Sequence, residues 1–144
     1  MFTQTWRDNA GREWTIRANV ATFARVKDVG GIDLVGAVVL GQNTDALSRL
    51  LLDPVFAARV LWACVQPEAE QRGITEAVFC DTLDGESIGR GVDALLQALP
   101  YFFPTPEART AATQITKALA QARAQMAEQL TSGGLFGNSQ ASSA

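Results

Sequence analysis

Histidine is absent from all 144 residues, and this gap excludes more chemistry than any residue present suggests. It removes the usual general base near neutral pH and the commonest metal ligand, so histidine-based triads and zinc sites are ruled out. Cysteine occurs only as Cys64 and Cys80. They stand too far apart for a redox or zinc pair, and each lies in an apolar helix pattern, "VLWACV" and "EAVFC". Both are expected to be core thiols, without a disulfide in a reducing compartment. No basic stripe is present either. A net charge of -3 and a pI near 4.9 oppose counterion release from a phosphate backbone, so nucleic acid is not an expected partner. The longest apolar run, "LVGAVVLG", falls far short of the roughly 20 residues that span a bilayer, and "MFTQTWRDNAG" lacks the basic start and apolar stretch of a signal peptide. A cytoplasmic protein without a membrane partner is expected.

What is present suits a globular chain: 47% hydrophobic and 19% charged residues, at a length that fills one core rather than two. "FTQTWR" and "EWTIRA" alternate apolar with polar, placing Phe2 and Trp6 on one face of a first strand and Trp14 and Ile16 on one face of a second. Between them "DNAG" supplies turn-forming Asp8 and Asn9 and a left-handed position at Gly11. After Val20 the period changes to about 3.6, with Phe23, Val26 and Val29 on one helical face. Gly30 and Gly31 end that helix. Ile32 to Leu40 reads as a short helix capped by Asp33 or as a buried strand, helix being favoured. Asn43 or Thr44 caps "DALSRLLL". Asp53 with Pro54 starts a further helix, which Pro67 should stop. Thr75 caps "EAVFCDTL", Asp84 or Ser87 opens "GVDALLQAL", and Pro100 with Pro104 should break the chain around "YFF".

Thr105 and Pro106 begin a long last helix to about Thr131, followed by a Gly/Ser-rich segment expected to be flexible and dispensable for stability. The pattern therefore predicts a mainly α chain with a small N-terminal β-hairpin: one domain over residues 1–131 (hairpin 2–18, helices 20–104, long helix 105–131) and a tail over 132–144. In the last helix Ala108, Ala112, Ile115, Leu119, Ala122 and Met126 recur at steps of four and three, with Leu130 beyond. Such a seam packs on the chain's own core, or grips a partner helix or a second copy. Ile115, Leu119 and Met126 are its partner-binding candidates.

Of three candidate sites, two fail on inspection and one survives only as a minor reading. Asp81, Asp84 and Glu86 in "CDTLDGES" could support carboxylate-only catalysis, but Asp, Gly and Ser are also what a helix-capping loop requires. Counted as a calcium loop with Gly85 at its sixth position, the same stretch puts Cys80 at the first ligand position. "GRGVDA", Gly89 to Ala94, matches a dinucleotide fingerprint without the strand that must precede one, and close helix approach accounts for its glycines. Neither metal nor organic cofactor is expected.

The order of parts is more informative. A hairpin "WRDNAGREWTIRANV" runs into "ATFARVKDVGGIDL", then "LLDPVFAARVLWACVQPEAEQRGIT", then an apolar helix ending "LPYFFP". From Trp6 to Pro104 this layout resembles the tail assembly chaperones of long-tailed phages and prophage-like elements. The resemblance implies a protein of the host cytoplasm that is not an enzyme. It would bind the tape-measure protein, with the tail-tube protein as a further partner, and keep it soluble while the tube polymerises. Such chaperones can be extended by ribosomal frameshifting. A structural tail or virion component is the alternative, and a carboxylate-only enzyme a second one.

Overall fold

A computed structural model describes residues 3–40 and 44–131, without the side chains of 39, 40, 44, 126, 127 and 129–131. Phe2, Asn43 and the segment 132–144, on which expectations were placed, lie outside the described residues. The chain is mainly helical with one N-terminal hairpin and a long C-terminal helix.

Strands β1 (Thr3–Arg7) and β2 (Glu13–Arg17) pair antiparallel with Trp6 opposite Trp14. Side-chain alternation sends Trp6, Trp14 and Ile16 into the core and leaves Thr3, Thr5 and Arg7 outside. Asp8 builds the turn. Its Oδ1 accepts the backbone N–H of Ala10 at 2.9 Å and of Arg12 at 3.0 Å, while Gly11 takes φ 79°, a value costly for any residue with a Cβ. The same carboxylate reaches inward. Oδ2 accepts from Trp14 Nε1 at 2.9 Å and Arg12 Nε at 3.0 Å, and shares the Thr82 hydroxyl proton, at 3.3 Å, with the nearer Phe79 carbonyl at 2.8 Å; Asn9 N–H donates to the Thr82 carbonyl at 3.1 Å. A turn residue thus becomes a buried hub, 3% exposed, that ties the hairpin to a loop 74 positions away.

Among the described residues, seven α-helices follow. Helix α1 (Val20–Asp28) is capped by Asn19, and α2 (Leu34–Leu40) follows the glycine pair, with Asp33 Oδ1 accepting the Gly36 N–H. Helix α3 (Thr44–Leu52) precedes α4 (Pro54–Gln71), whose cap Asp53 accepts from Val55 and Phe56. Thr75 caps α5 (Glu76–Asp81), and Asp84 with Ser87 forms a reciprocal capping box on α6 (Gly85–Ala98). Helix α7 spans Pro106–Thr131, with the Thr105 hydroxyl accepting from Ala108 N–H.

Helix α4 is the central pillar. Val60, Leu61, Ala63 and Val65 are at most 1% exposed, because α1, α3, α6 and the hairpin pack around it. Gly91 lets α6 approach closely: a Cβ there would lie 2.6 Å from Leu61 Cδ1. Phe79, the one buried residue of α5, sits among all three tryptophans, with ring centroids 6.1 Å from Trp6, 5.3 Å from Trp14 and 5.6 Å from Trp62. Edge-on and tilted packing of this kind adds to the area the rings bury.

Four expectations are corrected. Pro67 does not stop α4, which continues to Gln71. A proline at that position removes the N–H that would serve the Ala63 carbonyl. Arg25 replaces it, Nε donating to Ala63 O at 2.9 Å and Nη2 to Cys64 O at 3.4 Å. Val29 leaves the apolar stripe because α1 ends at Asp28, and it stands 43% exposed. Pro100 ends α6, which stops at Ala98, but does not break the chain outright: it enters a 3₁₀ turn, Leu99–Phe102, at a position that needs no N–H. The break comes at Phe103, held extended ahead of Pro104. Finally, Cys80 is exposed, since short α5 buries Phe79 alone; Cys64 is buried as expected.

Burial raises the Asp8 carboxyl, but hydrogen bonds from Trp14 and Arg12 outweigh it and hold the group below its ordinary value. A depressed folded value contributes stability that is present above the unfolded value, about 3.9, and lost as pH falls through the folded one. Asp8→Ala is expected to lose about 2–4 kcal/mol at pH 7 by orphaning buried donors. Urea unfolding at pH 7 and pH 3 checks this, since the variant's deficit should shrink in acid.

Candidate functional site

The three carboxylates singled out by sequence do not converge. Asp81, Asp84 and Glu86 are all exposed. Asp84 is occupied as a cap: the Ser87 backbone N–H, then the Asn9 side chain, hold its carboxyl below the ordinary range. Glu86 pairs with Arg90 at 3.4 Å, one turn along α6. Among the described residues, no group of three or more His, Cys, Asp or Glu could hold a metal ion. Nor is any single described helix long and apolar enough to cross a membrane. The Gly89 to Ala94 stretch lies within α6, where Gly91 meets Leu61 and a Cβ on Gly89 would meet Arg123 Nη1 at 3.1 Å.

Two of the concavities among the described residues are large enough to weigh as sites. A polar depression of about 290 Å³ lies between β2, α1 and α4, with Arg17, Asn19, Arg25, Cys64 and Glu68 in its walls. Its chemistry is largely committed to the fold. Arg25 serves the two carbonyls beside Pro67, while Glu68 accepts the outward Thr15 N–H at 3.1 Å and an Arg72 N–H at 3.2 Å. Burial pushes the Cys64 thiol up to about 12, which leaves almost no thiolate to act as a nucleophile.

The second is a groove of about 410 Å³ where α6 and the 3₁₀ turn meet α7. Leu96, Pro100, Tyr101 and Ala120 give it apolar surface, and Gln4, Thr113 and Thr116 border it. It continues past Pro100 and Tyr101 to Arg109, Gln114 and Lys117, adding a lobe of about 330 Å³. Arg123 fixes one wall by donating to the Gly89 carbonyl and the Asp93 carboxylate, which clamps α7 to α6. The Arg109 guanidinium is anchored too, its Nε donating to Phe103 O at 2.8 Å.

The seam candidates occupy the neighbouring face of α7. Ala112 is fully buried, and Ile115 and Leu119 are partly buried against the chain's own core. The Met126 side chain lies outside the described residues. The groove instead uses Thr113, Thr116, Lys117 and Ala120, a stripe displaced by one residue from that seam. This stripe carries no apolar periodicity, so hydrophobic spacing could not find it. The available signal was the proline-bounded "PYFFP", which holds the chain's one tyrosine at the surface: Tyr101 is 53% exposed.

Comparison of the chain with protein-family models, with curated proteins and with solved structures finds no significant match.

The two thiols should behave differently toward a disulfide reagent. Cys80 is accessible, although partial burial of its sulfur and then Glu76 and Asp81 raise its pKa. One thiol per chain is expected to react in the native state, faster as pH rises, with the second released only by denaturant. Colorimetric titration, with Cys80→Ser as control, checks the assignment.

Proposed function

We propose that the chain is an assembly chaperone that binds the tape-measure protein of a phage or prophage tail and keeps it soluble while tail-tube subunits polymerise. The layout from Trp6 to Pro104 supports this reading on the sequence side. The observation that carries it is the groove along α6, the 3₁₀ turn and α7, an open surface of mixed apolar and polar lining that suits reversible contact with a helical partner. The job needs neither a nucleophile nor a general base. It needs a rigid body that presents such a surface, with the Arg123 clamp and the close α4–α6 contact at Gly91 holding the groove walls in place.

Co-expression with the tape-measure protein of the phage or prophage that carries the chain tests the proposal. The partner should be insoluble alone and should co-purify with the chain when both are made together. Thr113→Glu, on an exposed groove position one turn from Lys117, is expected to abolish that solubilisation while its melting curve stays within a few degrees of the parent. Leu119→Glu is expected to lower the melting temperature instead, because it charges a side chain packed on the core. A tape-measure protein that stays aggregated beside the unmodified chain, or stays soluble beside Thr113→Glu, contradicts the proposal.

A further inference from the structure

Resting on that reading, we propose that the groove selects a three-turn amphipathic helix of the tape-measure partner whose apolar stripe is bordered by carboxylates. The length comes from α7: groove residues run from Arg109 to Ala120, about 16 Å at 1.5 Å per residue. The apolar stripe comes from the groove surface. Leu96, 2% exposed, and buried Pro100 form its floor, and the exposed Tyr101 ring with the half-buried Ala120 methyl is the apolar surface a partner would cover.

The sign of the flanking charge comes from the lining. Lys117 stands exposed at the junction of the two lobes and Arg109 borders the outer one. Among the described residues, Asp93 is the one carboxylate lining either lobe, and Arg123 neutralises it. The groove is therefore locally positive on a chain whose net charge is -3. An acidic border would meet Lys117 and Arg109, whereas a basic one would face two like charges that have no compensating partner in the lining. Apolar burial supplies the affinity of such a contact, and charge sets which helices are accepted.

Tyr101 provides the probe, because it is the one tyrosine in the chain and lies in both lobes. The experiment uses full-length protein carrying fluorinated tyrosine and two synthetic helical peptides of about 14 residues. Both peptides have leucines at i, i+3 and i+7; one has glutamates beside them and the other lysines. The glutamate peptide is expected to shift the Tyr101 signal saturably and to bind at least tenfold tighter than the lysine peptide, with the gap narrowing as salt is raised. Lys117→Glu is expected to reverse the preference, and Lys117→Gln to reduce it; the second variant decides the matter if the first unfolds. Equal affinities, saturable binding that leaves Tyr101 unmoved, or no binding of either peptide overturns the proposal. Selective binding of the glutamate peptide alongside a tape-measure protein that stays aggregated would retain the charge preference and remove the chaperone role. Solubilisation with no peptide selectivity would do the reverse.

Discussion

Phe79 among three tryptophans is the packing event on which the rest depends. A two-stranded hairpin is marginal alone, and α5 is only six residues long, too short to hold itself. Each stabilises the other. Trp6 and Trp14 from the hairpin and Trp62 from α4 leave a space that Phe79 fills, so the hairpin, the central pillar and the α5–α6 region meet at one ring. The Asp8 carboxylate sets the orientation by holding the Trp14 indole N–H and the Thr82 hydroxyl together. With α6 fixed against β1 and α4, the helix that forms one wall of the groove has a defined position, and Arg123 places α7 against it.

Much of this architecture was legible because the deciding physics was local. Strand alternation at Trp6, Trp14 and Ile16, side-chain caps at Asp53, Thr75 and Asp84, and the left-handed turn at Gly11 all follow from neighbours in sequence. Pro67 was misread because its remedy is not local: Arg25, on another helix, serves the carbonyl that the proline leaves open. Asp8 was legible as a turn residue and not as a hub, since its inward bond to Thr82 spans 74 positions.

The candidate site was less legible for a related reason. Hydrophobic spacing finds the face of α7 that the body itself needs, and Ala112, Ile115 and Leu119 pack there. On the proposed reading the groove serves reversible contact, and such a surface cannot be strongly apolar without inviting aggregation; its lining includes Thr113, Thr116, Lys117 and one exposed tyrosine. Its identity as a groove exists only once α6 and the 3₁₀ turn stand opposite α7. The carboxylates that looked chemical in sequence proved to be caps and surface charges, which is what their Asp-Gly-Ser setting also allowed.

The central claim is that hairpin and helices form one cooperative body locked at Phe79 and Asp8. Native-state hydrogen exchange of the Trp14 indole N–H tests it most directly, because that proton is buried and donated to Asp8. If the account holds, it exchanges only through global unfolding, with the same free energy and the same denaturant dependence as core amides of α4. Exchange at a lower free energy and without denaturant dependence, while α4 stays protected, would mean that the hairpin opens on its own and that the lock at Phe79 does not hold the body together.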